Sequence, residues 1–234
     1  MKQGLLEIIF VIDRSGSMDK IKKNMIGGFN SFIAEQKSVK VGEVKVSAYQ
    51  FDTPQQGGTT EAFPQPIFEF IDLDLVPDLT EANYTPRGGT ALNDAFAMTI
   101  KNVGARLANT PEELRPEKVM VITITDGEEN SSHEYTGAQV KEMIEEQTKT
   151  YNWSFTYMGA NQDAWSVGSS YGVAGSSTLT FGTSSLAMSA SYSSLSANMI
   201  NYRSNYAVSG SAYLCNSLCF SDADREVQKA AGAY

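Results

Sequence analysis

Ile8-Ile9-Phe10-Val11-Ile12-Asp13-Arg14-Ser15-Gly16-Ser17-Met18 decides the reading of this 234-residue chain. The run from Leu5 to Asp13 is nearly all apolar, the pattern of a central strand covered on both faces. It then breaks at once into a tight turn carrying one carboxylate and two hydroxyls, which are hard oxygen donors without a base. Two later segments have a similar build. Gly88-Gly89-Thr90-Ala91-Leu92 opens an amphipathic stretch, and Val119-Met120-Val121-Ile122-Thr123-Ile124-Thr125 runs directly into Asp126-Gly127.

Working outward, Ile21, Met25, Phe29, Phe32 and Ile33 recur at helical spacing and predict a helix from Ser17 to about Lys37. Val44, Val46 and Ala48 lead to Phe51-Asp52 as a second strand. Pro66 to Leu73 gives a third, and the Pro, Gln and Gly-rich connection through Gly57-Gly58 suits an antiparallel edge hairpin with an extended loop. A helix follows the Thr90 loop, marked by Leu92, Ala95, Phe96, Thr99, Ile100, Val103 and Leu107, and stops before Pro111. Val119 to Thr125 is a second buried central strand. Val140, Met143, Ile144 and Gln147 mark another helix, and Trp153 to Met158 a strand ending in Gly159-Ala160-Asn161. Beyond Asn161 the composition turns to Ser, Gly, Ala and Tyr, yet order persists. Thr178 to Phe181 reads as a short last strand, and Met188, Tyr192, Leu195, Met199, Tyr202 and Tyr206 keep a 4-3-4-3-4 spacing that builds one apolar helix stripe.

Alternating strands and helices imply a mostly parallel α/β sheet with right-handed crossovers. Here that means six strands, one of them an antiparallel edge strand, with helices on both faces. The length suits one domain, assigned to residues 1–209. Residues 210–234 form an extension in which Asp222-Ala223-Asp224-Arg225 to Tyr234 is either a short helix or a frayed tail. Open α/β sheets bind ligands beyond the carboxyl ends of their strands, where the strand order reverses. Asp13, Thr90 and Asp126 all fall at that end.

Composition narrows the function. Lys and Arg number 18 against 27 Asp and Glu, a net charge of −9 without a basic run, so nucleic acid lacks its electrostatic footprint. The first residues offer Lys2 and an apolar run too short for a membrane span, without a small-residue cleavage site. They read as a strand of the mature protein. Cys215 and Cys219 sit four apart, a spacing that could set both on one helix face, but they cannot close a zinc site alone and that spacing does not favour a disulfide. The expected compartment is a reducing cytoplasm.

A small divalent cation such as Mg²⁺ asks for near-octahedral oxygen coordination at about 2.0–2.1 Å and keeps waters beside one or two carboxylates. Two carboxylates and three hydroxyls meet that demand. With one His and two Cys in the chain, nitrogen and sulfur ligands are nearly absent, and the hard donors favour Mg²⁺, with Mn²⁺ next and Ca²⁺ a further alternative. Taken alone, Asp13 to Met18 also reads as an ordinary turn with Ser17 capping a helix. Enzyme readings lack their constellations. A haloacid dehalogenase-type phosphohydrolase wants a second Asp where Ser15 stands, no G-x-S-x-G is present, the sole His133 reads as a surface loop residue, and G-x-G-x-x-G is absent after the first strand.

The order D-x-S-x-S, then Thr, then Asp-Gly resembles the metal-ion-dependent adhesion site of the von Willebrand factor type A domain family. Gly27-Gly28-Phe29-Asn30-Ser31-Phe32, Thr125-Asp126-Gly127-Glu128-Glu129-Asn130-Ser131-Ser132 and Met158-Gly159-Ala160-Asn161-Gln162-Asp163-Ala164 are similar to its bacterial and phage-type single-domain members. The resemblance runs to about Tyr206. The Thr53 to Pro64 connection is longer than usual for the family, and the tail from Gly210 departs from it. The resemblance implies a Rossmann-like, doubly wound form of the α/β sheet, with Asp13, Ser15, Ser17, Thr90 and Asp126 as metal site. It further implies a non-enzymatic interaction module whose cation is met by a Glu or Asp of a partner protein. A structural protein whose metal only staples the loops has the same fold and site, with Glu128 or Glu129 as the chain's own filler.

Overall fold

A computed structural model describes residues 1–53, 62–209 and 217–233. Six strands, β1 (Lys2–Asp13), β2 (Glu43–Phe51), β3 (Gln65–Asp72), β4 (Pro116–Thr125), β5 (Ser154–Ala160) and β6 (Thr178–Phe181), form one sheet in the order β3-β2-β1-β4-β5-β6. All neighbours are parallel except β2 and β3. The fold class read from the sequence is the one observed. The order reverses at β1, so the crevice between the ends of β1 and β4 is the topological switch point.

Period-two alternation sorts β1 onto two faces. Leu6, Ile8, Phe10 and Ile12 pack under α1 (Lys22–Ser38) and α5 (Ser185–Ser209), with Phe10 edge-on to Phe29 and Phe32 at 5.1 and 5.3 Å. Ile9 and Val11 face α2 (Leu92–Ala108) and α3 (Gly137–Tyr151). Glu7 interrupts the apolar run at a fully buried position. Its Oε1 accepts from Ser47 at 2.9 Å and Arg106 at 2.5 Å, and burial pushes its carboxyl above the ordinary range while Arg106 pulls it back.

The α5 stripe is core, as its spacing implies: Met188, Tyr192, Leu195, Met199, Tyr202 and Tyr206 are all buried. Arg203 of the same helix donates to the carbonyls of Gln36, Val39 and Val41 at 2.8–2.9 Å, tying α5 to the end of α1 and the chain just after it. The short α4 (Ala164–Ser170) lies between β5 and β6 in the chain. A helix, α6 (Asp222–Ala230), resolves the choice between helix and tail. Ser221 and Asp224 form its capping box, and Leu218 and Phe220 just before it are buried in the core.

Two expectations need correction. The first helix does not begin at Ser17, because Gly16–Ile21 winds as a 3-10 turn and the α-helix starts at Lys22. The tighter winding follows from the Met18 N–H reaching the Ser15 carbonyl three residues back. Cys219 lies in the irregular stretch before α6, not on a helix, and is exposed; Cys215, like the Gly57-Gly58 connection, lies outside the described residues. Among the described residues no helix is long and apolar enough to cross a membrane.

The α1–α5 seam makes a direct prediction. A Cβ added at Gly28 would stand 2.1 Å from the Tyr192 ring, whereas one at Gly27 meets nothing within 4 Å. Gly28→Ala should cost about 1–3 kcal/mol of stability through overpacking. Gly27→Ala should add about 0.5–1 kcal/mol by removing helix-interior glycine entropy. Urea unfolding midpoints that moved together would show that the seam is not closed at Gly28.

Candidate metal site

The site grows from the register of β1 against β4. Ile12 pairs with Ile124, so the next residues, Asp13 and Thr125, face each other where the strands end. Asp13 is fully buried. Its Oδ2 accepts from the Thr125 hydroxyl and its Oδ1 from the Ser15 N–H, both at 2.6 Å, while its backbone carbonyl accepts from the Tyr84 hydroxyl at 2.6 Å. The carboxylate is therefore held on both oxygens and the residue's backbone on a third side.

The 3-10 turn carries the next two donors outward. Ser15 Oγ lies 3.0 Å from Ser17 Oγ, and Ser17 Oγ donates to Asp126 Oδ1 at 2.6 Å. Ser17 thus spans two loops, and the turn and α1 lack any side-chain cap at their starts. The capping alternative for Ser17 has no hydrogen bond to support it.

Thr90 arrives on the second loop, which is stitched to the first through its backbone. Gly88, at φ +65°, offers its carbonyl to the Gly16 N–H at 3.0 Å, and the Arg87 N–H donates to the Arg14 carbonyl at 2.7 Å. Asp52 holds the side chains of Arg14 and Arg87 at 3.3 and 2.5 Å. On the third loop Gly127 is required: a Cβ there would lie 2.7 Å from Thr90 Oγ1 and 3.7 Å from Asp13 Oδ2. Asp13, Ser15, Ser17 and Asp126 are thus joined by hydrogen bonds, and Thr90 meets Asp13 over Gly127.

Several supporting residues were not singled out by sequence reasoning. Thr125 and Tyr84 hold Asp13, and Asn130 Oδ1 accepts from the Thr90 N–H at 2.9 Å. Asp94, at the start of α2, takes the N–H groups of His133, Glu134 and Tyr135 at 2.8–3.0 Å, anchoring the third loop. Only the position of Thr125 beside Asp126 gave a sequence signal. Glu129 faces away from the crevice: its oxygens accept from the Asn93, Ser131 and Ser132 N–H groups and the Ser132 hydroxyl at 2.7–3.0 Å. Glu128 and His133 are exposed.

Burial pushes the Asp13 carboxyl up to about 6, against the hydrogen bonds from Thr125 and Ser15, with the charge of Asp126 adding to the rise. Asp126 is also raised by burial, opposed by Ser17 and by the charge of Lys20. Two carboxylates crowd a crevice short of positive charge.

The donor set suits a hard divalent ion. An octahedron with metal–oxygen distances of about 2.1 Å has adjacent oxygens roughly 3.0 Å apart, which is the Ser15–Ser17 hydroxyl spacing. Among the described residues no three His, Cys, Asp or Glu side chains cluster as a metal site. That agrees with a crevice built from two carboxylates and three hydroxyls.

Solved structures share this architecture. The chain aligns with proximal thread matrix protein 1 from the mussel byssus, described with a zinc-occupied MIDAS motif, at TM-score 0.53 and 15% identity, covering 85% of this chain and 46% of that one. A von Willebrand factor type A protein from Catenulispora acidiphila aligns at TM-score 0.50 and 16% identity, covering 85% and 43%. The vWF domain of the type V pili tip protein Mfa5 from Porphyromonas gingivalis gives TM-score 0.55 and 11% identity, covering 87% and 97%. At these identities the likeness shows the fold, and the chain spans less than half the length of the first two. Comparison with curated proteins returned no match. The family model described as von Willebrand factor type A domain matches residues 7–167, from β1 through the start of α4 and across all three loops of the crevice, and the chain belongs to that family.

Proposed function

We propose that the protein is a metal-dependent interaction module, in which a divalent cation held by Asp13, Ser15, Ser17, Thr90 and Asp126 receives a Glu or Asp from a partner protein. The observation that carries this reading is the convergence of three hydroxyls and two carboxylates at the switch point, with Ser17 at the surface. Asp13 takes one hydrogen bond on each oxygen, from Thr125 and Ser15, and keeps lone pairs with which to meet the ion directly or through water. The hydroxyls and Asp126 face the crevice. A bound cation supplies an electrophilic centre for an acidic side chain. The residues of this chain position that centre, and the loops around it choose which carboxylate approaches.

The staple reading requires the chain to fill the outer position itself. Glu129 is spent on the backbone of its own loop and on Asn93, which favours an opening for a partner. Mg²⁺ is the ion we assign, on donor hardness. The zinc named for the mussel protein makes comparison of metals part of the test. We read the chain as non-enzymatic, since an Asp13 held on both oxygens is a poor nucleophile and His133 is fixed through its backbone by Asp94, and we keep the cytoplasmic assignment on the cysteine usage of the sequence alone.

Thermal melts in EDTA and in millimolar Mg²⁺, Mn²⁺ or Zn²⁺ address the ion. A ligand at a hundredfold excess over its Kd adds about 2.7 kcal/mol to the native state. Melts that coincide in all conditions, with no heat of binding by calorimetry, would remove the cation from the mechanism. Thr125→Val keeps the shape but deletes the donor to Asp13 Oδ2, and should cost about 10–100-fold in metal affinity, the usual effect of losing an outer-shell partner. Circular dichroism should stay native-like. A partner captured from cells should elute in EDTA, and changing its contacting Glu or Asp to the amide should abolish capture. Full retention by Asp126→Ala protein would place the interaction surface elsewhere.

A further inference from the structure

The metal crevice is bordered by lysines on its α1 side. Side chains three apart in a 3-10 turn eclipse one another, so Lys20 stands over Ser17, on the side of the turn that faces the site. Its charge reaches Asp126. Lys23 follows three residues later, and Lys20, Lys22 and Lys23 line one open cleft of about 490 Å³ with Asp19, Asn24 and Glu81. Lys22 is paired with Glu81 at 3.4 Å. Lys20 and Lys23 are exposed, and among the described residues no salt bridge joins either to a carboxylate. Asp19 and Glu81 are the acidic groups within the cleft, and Asp126 on the third loop lies within reach of the Lys20 charge.

Three ammonium groups against one Asp in the five residues from Asp19 to Lys23, in a chain of net charge −9, form a local reversal of sign. Beside a cation site that reversal is unfavourable by itself, since like charges repel the ion. It becomes favourable once an anion occupies the same surface.

We propose that the cleft is the second contact of the module: the partner segment that offers one carboxylate to the cation lays a further Asp or Glu, a few residues away, on Lys20 and Lys23. The partner is then an acidic segment, not an isolated Glu or Asp on a neutral surface. This inference rests on the metal-dependent reading above. It gives the lysines two tasks, steering a negatively charged partner toward an acidic protein and making ion and partner bind cooperatively.

The test uses two fluorescein-labelled synthetic peptides of equal length in a Ser/Gly background, one with a single Glu and one with two Glu residues three apart. Binding is read by anisotropy in Mg²⁺ and in EDTA, for the wild type and the Lys20→Gln/Lys23→Gln double variant. The second Glu should tighten wild-type binding about three- to tenfold, the yield of one or two partly exposed ion pairs. That gain should vanish in the double variant and shrink as NaCl rises from roughly 50 to 300 mM. Mg²⁺ alone, titrated by calorimetry, should bind the double variant at least as tightly as the wild type. An equal gain in both proteins, a gain that survives intact in EDTA, or weaker Mg²⁺ binding in the variant would overturn the proposal. Metal-dependent binding of both peptides with no gain overturns the lysine contact alone, whereas no binding of either peptide in Mg²⁺ overturns the metal-dependent reading with it.

Discussion

The carboxylate of Asp13 is the constraint around which the crevice is arranged. Taking an ionised group out of water costs several kcal/mol unless hydrogen bonds and countercharge replace its hydration. Hydrogen bonds are provided: Thr125 supplies a hydroxyl from β4 and Ser15 a backbone N–H from the following turn. Both depend on the register that sets the end of β1 beside the end of β4. A shift of one residue would turn Asp13 to the opposite face and strand it under α1, against Phe29 and Phe32. Countercharge is not provided by any side chain hydrogen-bonded to the carboxylate, and burial raises the Asp13 and Asp126 carboxyls despite their hydrogen bonds.

Around this centre, backbone groups do much of the positioning. The Gly16 N–H on the Gly88 carbonyl and the Arg87 N–H on the Arg14 carbonyl lock the first two loops together. Asp94 and Glu129 gather the N–H groups of the third loop, so its geometry is fixed before any ligand arrives. Such preorganisation limits the ordering cost of binding. Glycine is needed where the loops press closest. A side chain at Gly127 would occupy the space of the Thr90 hydroxyl, and one at Gly89 would collide with Ser131 Oγ at 2.2 Å.

The helix layer couples the crevice to the rest of the fold. The 3-10 turn bearing Ser15 and Ser17 runs directly into α1, and α1 is clamped between β1 and α5 by Phe29, Phe32, the Gly28–Tyr192 contact and Arg203. The position of the two serine hydroxyls is thus set by core packing.

By itself the sequence determined the elements, because apolar patterning is a local property: the near-continuous apolar run of Leu5 to Ile12, the 4-3-4-3-4 stripe of α5 and the four residues of β6 all occur where their patterns indicate. It also determined the chemistry available to the crevice, since D-x-S-x-S, Thr90 and Asp126-Gly127 name the donor types. Their arrangement was decided by the tertiary structure. Ser17 and Asp126 are 109 residues apart and meet at 2.6 Å only because the strand order reverses at β1. Whether Glu129 fills the crevice or caps its own loop, and whether Ser17 caps a helix or bridges two loops, depends on which groups lie within hydrogen-bond reach. Spacing along a chain cannot encode that distance, because it is set by strand register and by the packing of helices from distant segments.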